Sequence, residues 1–147
     1  MEDEVLIALR EQLECYVQLR KLAKTQHECI QDSRNEELLE VLGQRQGLLD
    51  EMARLEKIIL PAKRNWQEYS ERLTTELRGE AEELVAETRR LLEEIAQADR
   101  DDTLVLQQRK FNAGKAIGQA VGARKFNASY AQAAYGGKGK ERLDIQR

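Results

Sequence analysis

The sequence predicts an all-α protein: an antiparallel bundle of about three long helices, in which a coiled-coil-like hairpin is followed by a long C-terminal helix with a flexible basic tail. Three observations support this prediction. Charged residues make up 35% of the 147 residues, with a single proline and 5% aromatic residues, a composition typical of long, solvated helices. Apolar residues recur at alternating spacings of three and four, the pattern of a helix packed against a neighbour. Short polar segments separate these runs, as between antiparallel helices.

The first predicted helix runs from Glu2 to about Asp32. Its acidic first turn suits the positive end of the helix dipole. Its apolar face is expected to contain Leu6, Leu9, Leu13, Tyr16, Leu19, Ala23 and Ile30. Cys15 and Cys29 would lie about 21 Å apart on this helix, because each residue adds about 1.5 Å, so they cannot bridge each other within it. Two unpaired thiols favour a reducing compartment, and we therefore expect a cytoplasmic protein.

A four-residue connection leads to the second predicted helix. Ser33 or Asn35 is expected to cap the start of this helix, and so short a link favours a helical hairpin. The apolar face of the second helix is expected to contain Leu38, Leu42, Leu49, Met52, Leu55 and Ile59, with Arg45 as an interruption. Pro61 predicts a kink. Trp66, where the helical pattern resumes, is interpreted as closing the end of the bundle, with ligand stacking as the less favoured role.

A second turn is predicted between Leu73 and Glu80. Thr74 and Thr75 offer helix caps there, and Gly79 tolerates unusual backbone dihedrals. The alternative is one unbroken helix from Pro61 to Val121, which would leave its apolar face without cover.

The third predicted helix carries the most regular apolar face of the chain. This face contains Leu77, Ala81, Leu84, Thr88, Leu91, Ile95 and Ala98, and a weaker stripe continues through Leu104, Leu106, Ala113, Ile117 and Val121. We therefore expect a helical bundle domain over residues 1–122. Residues 123–147 are expected to form a basic, partly disordered C-terminal tail.

The charge of the chain differs between its two ends. Residues 1–102 contain 15 Lys/Arg and 25 Asp/Glu, a net charge of -10, whereas residues 103–147 contain 9 and 2, a net charge of +7. In the basic part, the motif Arg-Lys-Phe-Asn-Ala occurs at 109–113 and again at 124–128. Basic residues beside an aromatic ring can dock on an acidic, apolar groove or stack on nucleic-acid bases. This region is therefore the predicted site of partner recognition.

The sequence contains no motif typical of catalysis or of metal binding. It has no phosphate-binding loop, no Cys-x-x-Cys pair and no nucleophile elbow. The single histidine, His27, cannot supply the Glu-x-x-His pairs of a di-metal bundle. The acidic residues Glu93, Glu94, Asp99, Asp101 and Asp102 are interpreted as a solvated helix face. We predict no catalytic, cofactor-binding or metal-binding residues, and no membrane span, because the longest apolar run is far shorter than the ~20 residues required.

Several stretches of this sequence resemble the flagellar export chaperones of the FlgN type. They are Leu13 to Gln26, Glu37 to Gln46, Leu48 to Asp50 with Leu55, Trp66 after the proline, and Leu91 to Asp102 leading into a basic tail that ends in Tyr135-Gly136. The resemblance covers roughly residues 9 to 135. The duplicated basic-aromatic motif and the glycines at 114, 118 and 122 depart from the family pattern. The resemblance implies a cytoplasmic, non-enzymatic chaperone that holds hook-filament junction (hook-associated) subunits and delivers them to the type III export gate.

The C-terminal amphipathic region is the expected client-binding surface. Apolar contacts are assigned to Leu106, Phe111, Ile117, Val121, Phe126 and Tyr130, and orientation through charge to Arg109, Lys110, Arg124 and Lys125. The first alternative is a structural coiled-coil protein that self-associates, for example as a homodimer. The second is a nucleic-acid-binding module that uses the basic tail, which the acidic body of the protein disfavours.

Overall fold

The computed structural model describes residues 3–123, and the side chains of residues 3–118. This part of the chain forms four α-helices and contains no strand: α1 (Glu4–Gln31), α2 (Asn35–Arg64), α3 (Trp66–Glu71) and α4 (Thr75–Ala123). The predicted all-α class is therefore confirmed. The chain divides into two compact units, Met1–Asp102 and Thr103–Arg147. The predicted domain boundary at residue 122 stays a prediction, and the predicted basic tail lies almost wholly outside the described residues.

The first unit is a three-helix bundle in which neighbours in sequence run antiparallel. Gln12 and Gln26 of α1 bond to Glu56 and Arg45 of α2 respectively, at 2.9 and 2.6 Å. Residue numbers therefore rise along one helix as they fall along the other. In contrast, Arg10 bonds to Glu80 at 2.6 Å and Gln26 bonds to Asp102 at 3.0 Å. Thus α1 and α4 run parallel, with α2 antiparallel to both.

The start of α1 is fixed by a side-chain cap. The carboxylate of Asp3 accepts a hydrogen bond from the backbone N–H of Leu6 at 3.0 Å, which satisfies one of the free donors at the helix start. The same oxygen accepts a bond from the Tyr69 hydroxyl at 2.9 Å. Tyr69 lies on α3, so the short helix is tied to the first turn of α1. Burial and this hydrogen bond both raise the pKa of Tyr69, which keeps the hydroxyl protonated as a donor.

The predicted caps of α2 are wrong. The N-cap residue is Arg34, and its side chain makes no capping bond. Ser33 adopts a left-handed backbone conformation with φ 56° and closes α1, since the next backbone N–H, that of Arg34, donates to the carbonyl of Cys29 at 2.8 Å. Asn35 is already the first helical residue. Ser33 therefore takes part in ending α1, and Asn35 lies inside α2, so neither residue caps α2.

The connections after α2 fall close to the predicted places. Pro61 lies inside α2, and the interruption comes at Asn65, four residues later. The second turn occupies residues 72–74, and α4 begins at Thr75. The Thr74 hydroxyl accepts a bond from the N–H of Leu77 at 3.2 Å, as expected of a cap, whereas Gly79 lies within α4 and plays no part in the turn. The alternative of an unbroken helix from Pro61 is thus excluded.

The core of the first unit lies where the three long helices meet. Its most completely buried large side chains are Leu9, Cys29, Leu55, Ile59 and Leu91. The predicted face of α4 is confirmed up to Ala98, since Ala81, Leu91 and Ile95 are buried and the remaining members are half-buried. Both cysteines are buried and unpaired. None of the described helices is both long enough and apolar enough to cross a membrane.

The apolar face of α2 differs from its prediction. Leu42 and Leu49 were assigned to the core but are 45% and 44% exposed. The residues that face the core are Val41, Arg45, Leu48, Met52, Leu55, Ile59 and Ala62, a set that we call the inner seam. Their spacing alternates strictly between four and three, which holds one stripe against the neighbouring helices. The sequence prediction combined part of this seam with leucines from another side of the helix.

Candidate partner-binding site

The part of α4 that belongs to the second unit exposes large apolar side chains. The exposed fractions are 63% for Leu104, 42% for Leu106, 65% for Phe111 and 49% for Ile117. None of the side chains of residues 103–118 is buried. Scattered apolar residues are normal on a protein surface, but four within fourteen residues of one helix form a concentrated apolar surface. This segment is the strongest candidate for contact with a partner.

These apolar side chains lie on two sides of the helix, whereas the sequence analysis predicted a single stripe. A residue advances the helix by about 100°, so Leu104 and Phe111 point within about 20° of each other. Leu106 and Ile117 are likewise within about 20° of each other, but on roughly the opposite side. Ala113 lies on the same side of the helix as Leu106 and Ile117. A partner that covered only one side would leave two large apolar side chains in water.

The same segment is basic. Residues 103–123 include Arg109, Lys110 and Lys115 and no acidic residue. The side chain of Gln108 donates to that of Asn112 at 3.2 Å, a bond between residues four apart. Basic charge around an apolar helix favours a partner whose surface is apolar and acidic.

Five of the ten predicted contact residues are visible with their side chains. Leu106, Arg109, Lys110, Phe111 and Ile117 all lie on α4, and its two apolar sides separate Phe111 from Leu106 and Ile117. Val121 lies in α4, but its side chain is outside the described part. Arg124, Lys125, Phe126 and Tyr130, and with them the second copy of the repeated motif, lie outside the described residues.

A polar cluster in the first unit was missed by the sequence analysis. Arg45 of α2 donates two bonds of 2.8 Å to the carboxylate of Asp99 and one of 2.6 Å to the side-chain oxygen of Gln26. The amide nitrogen of Gln26 donates to Asp102 at 3.0 Å, and Nδ1 of His27 lies 2.8 Å from the other oxygen of Asp102. The cluster therefore joins α1, α2 and α4.

Burial makes this cluster structurally important. The side chain of Asp102 is 3% exposed and that of Arg45 13%, so both charges depend on their protein partners. The hydrogen bonds to Asp99 raise the pKa of the Arg45 guanidinium further above its already high value. The sequence interpretation as a solvated face is thus wrong for Asp102, whereas the side chain of Asp99 is 39% exposed and is held by Arg45. Asp102 is the last buried residue of α4 within the first unit.

The spacing of these residues contained a signal for the cluster. Asp102 follows Ile95 and Ala98 at the three-four spacing of the apolar face, and Arg45 occupies a position of the inner seam. Polar residues of opposite charge at core positions of neighbouring helices are candidates for a buried pair. Arg45 and Asp102 join the same cluster through Gln26, which bonds to both.

A cleft in the first unit lies beside Trp66. It measures about 480 Å³ and is lined by Leu9, Gln12, Tyr16, Lys63, Trp66, Val85, Thr88, Arg89 and Leu92. The Thr88 hydroxyl is buried there without a hydrogen-bond partner. Trp66 packs against the core and its ring centroid lies 5.4 Å from that of Tyr69, in agreement with its interpretation as a residue that closes the bundle. Within the described part of the chain, no three metal-ligating side chains come together.

The fold and these surfaces define a helical bundle protein with an exposed, basic and apolar helical segment. Comparison with known proteins finds no family model, no curated protein and no solved structure that matches the chain.

Proposed function

We propose that this protein is a non-enzymatic, cytoplasmic chaperone of flagellar type III export, which binds hook-filament junction subunits through the part of α4 that follows Asp102. The observation that carries the proposal is the exposure of Leu104, Leu106, Phe111 and Ile117, between 42% and 65%, on one helical segment. The resemblance to FlgN-type chaperones supplies the class of client. Delivery of the client to the export gate rests on that resemblance alone.

The client surface that fits this segment is a pair of amphipathic helices. Apolar side chains on two sides of a helix are both covered when the helix lies between two others, as in a bundle. Burial of each Leu, Ile or Phe side chain contributes about 1.5 to 3 kcal/mol. Association and ordering oppose this gain. Four fully exposed side chains would contribute about 6 to 12 kcal/mol, and these four, which are 42% to 65% exposed, contribute less.

Charge supports the same kind of partner. Residues 103–123 include three basic residues and no acidic residue, so an acidic rim on the client helices would speed association and fix their orientation. The body of the protein has the opposite sign, with a net charge of -10 over residues 1–102. A basic client would therefore be attracted to the acidic first unit rather than to the basic part of α4 that follows Asp102. We expect the affinity for the client to fall moderately as salt is raised.

The free thiols are compatible with a cytoplasmic protein. Cys15 and Cys29 are both buried and unpaired. Burial, reinforced by the nearby carboxylates of Glu51, Glu11 and Glu14, raises the pKa of Cys15, so its reactive thiolate form is disfavoured. Two core thiols are maintained most simply in a reducing compartment.

The test is calorimetric titration of purified hook-filament junction proteins from a flagellated bacterium into the full chain and its variants. We expect L106K/I117K to weaken binding about 100-fold, because lysines at two contact positions would have to be buried or displaced. L104K/F111K tests the opposite side of the helix and is expected to weaken binding to a similar degree. Truncation after Asp102 should abolish binding.

L92K provides a matched control, because Leu92 is 48% exposed on α4 within the first unit. It should bind the client with unchanged affinity. Equal affinity of L106K/I117K and the unsubstituted chain would disprove the assignment of the site, and absence of binding to any hook-filament junction protein would disprove the proposed client.

A further inference from the structure

A second regular row of residues runs along the exposed side of α2. Its large apolar members are Leu39, Leu42, Leu49 and Leu60, which are 70%, 45%, 44% and 37% exposed. With Gln46, Ala53 and Glu56 they occupy positions 39, 42, 46, 49, 53, 56 and 60, a set that we call the outer seam. The spacing alternates strictly between three and four. This is the pattern of a helix that packs against another helix over three heptads.

Apart from Glu56, which accepts a bond from Gln12 of α1 at 2.9 Å, the outer seam is separate from the surface that α2 uses in the bundle. At about 100° per residue, the mean directions of the inner and outer seams differ by roughly 120° around the helix axis. The inner seam packs in the core, whereas the leucines of the outer seam remain in water. Twenty-one residues separate Leu39 from Leu60, so the outer seam extends over about 32 Å.

The charges that flank this seam change sign along the helix. Up to residue 51 the acidic residues are Glu36, Glu37, Glu40, Asp50 and Glu51, and from residue 52 onwards the basic residues are Arg54, Lys57, Lys63 and Arg64. The two exceptions in sign are Arg45, which is bonded to Gln26 and Asp99 in the bundle, and Glu56, which is bonded to Gln12 and Lys63. A helix with this arrangement is complementary to itself when the second helix runs antiparallel. A parallel copy would place like charges together.

We propose that the outer seam of α2 binds the outer seam of a second copy of this chain in antiparallel orientation. A register that covers three of the four leucines places Leu42 opposite Leu60 of the second copy, and Leu49 opposite Ala53 of the second copy. In this register Lys57 of the second copy lies along the same edge of the contact as Asp50, five residues or about 7.5 Å further along the axis, a distance that the long lysine side chain can span. Because the interface has two-fold symmetry, each of these contacts occurs twice.

The two residues of this intermolecular pair are available for it. Lys57 makes no hydrogen bond or ion pair within residues 3–123, and Asp50 accepts only an intrahelical bond from Gln46 at 2.9 Å. The pair would lie at the edge of the apolar contact, where charge mainly selects orientation. The proposed dimer uses no residue of α4 and does not depend on the proposed client.

Sedimentation equilibrium of the full chain between about 1 and 200 μM tests the proposal. We expect a monomer-dimer equilibrium, and L42K/L49K should raise its Kd about 100-fold or more, because each copy loses two leucine contacts, four in the whole interface. The helical circular dichroism of this variant should be unchanged, since both leucines are already exposed. L92K, a lysine at an equally exposed leucine outside the seam, should leave the Kd unchanged.

A charge exchange tests the orientation of the two helices. D50K and K57D should each weaken the dimer about 10-fold, and the double variant D50K/K57D should restore its Kd to within about threefold. A chain that is monomeric at every concentration would overturn the proposal. So would a dimer that is dissociated by L106K/I117K but not by L42K/L49K, or a double variant no tighter than the single ones. Unchanged client affinity of L42K/L49K would show that the two surfaces are independent.

Discussion

The part of α4 in the first unit and the part that follows Asp102 are both α-helical, but they differ in whether their apolar side chains are covered. In the first unit, α4 buries Ala81, Leu91 and Ile95, and its last buried residue is the polar Asp102. In residues 103–118 no side chain is buried, although leucine, phenylalanine and isoleucine are all present. The comparison shows that apolar content alone does not distinguish a core from a binding surface. The distinction comes from whether other helices of the chain cover the apolar side chains.

This difference assigns separate tasks to the two units. Buried apolar area and a satisfied polar cluster stabilise the first unit. The second unit contributes few buried contacts to its own stability among the described residues, and local stability follows such contacts. The apolar side chains of residues 103–118 are available to a partner because the described part of the fold does not bury them.

The largest expected effect is the loss of stability when a buried isoleucine is replaced by alanine, compared with the same change at an exposed isoleucine. Ile59 is 0% exposed and Ile117 is 49% exposed. Ile59→Ala should lower the free energy of unfolding by about 2 to 5 kcal/mol, because it leaves a cavity in the core. Ile117→Ala should change it by no more than about 0.5 kcal/mol. Urea unfolding monitored by circular dichroism measures both values, and similar losses would remove the distinction between the core of the first unit and the exposed segment of α4.

A smaller effect on stability is expected when one of two neighbouring aspartates, Asp102 or Asp101, is replaced by alanine. Asp102 is buried and bonds to Gln26 and His27, whereas Asp101 is exposed and accepts a bond from Gln97 at 3.0 Å on its own helix. Asp102→Ala should lower the free energy of unfolding by about 1 to 3 kcal/mol, since it leaves the amide of Gln26 without its acceptor. Asp101→Ala should stay within about 0.5 kcal/mol. Equal effects in urea unfolding would show that the polar cluster does not stabilise the end of the bundle.

The smallest expected effect is a gain in stability when a helical glycine is replaced by alanine. A Cβ added at Gly47 of α2 or at Gly118 of α4 would meet no atom within 4 Å. Gly47→Ala should therefore raise the free energy of unfolding of the bundle by up to about 1 kcal/mol, through helix propensity alone. Gly118→Ala should leave the unfolding midpoint of the bundle unchanged, because that residue lies outside the first unit. A gain of equal size at both positions, measured by urea unfolding, would indicate that the two parts of α4 unfold together.

Helical periodicity predicted most of the fold. The face of α4 from Leu77 to Ala98 was predicted residue by residue, because it contains one apolar stripe and no competing one. The cap at Thr74 was also predicted, since a threonine before a helical run has a local chemical role. The predicted short connection between α1 and α2 was found, but its capping residue was not, because the sequence does not show that Ser33 takes a left-handed conformation.

Features that depend on contacts between helices were harder to predict. In α2, two apolar rows with the same three-four spacing overlap in sequence, so Leu42 and Leu49 fit the pattern of a core although they belong to the outer seam. The bond between Arg45 and Asp99 joins residues 54 positions apart. In the sequence, Asp99 looks like an ordinary surface charge and Arg45 like an interruption of the apolar face, and the pair becomes apparent only when α2 and α4 are aligned. The client and the export function stay predictions, because they rest on resemblance and on exposed side chains.

The most direct test of the proposed binding site is native-state hydrogen exchange along α4, with and without a purified hook-filament junction protein. We predict that the amides of residues 77–98 are protected in both samples, because this part of α4 is packed in the bundle. The amides of residues 103–118 should exchange rapidly in the free protein and become protected when the junction protein is added. Equal exchange of residues 103–118 in the two samples, with the client bound, would contradict the account.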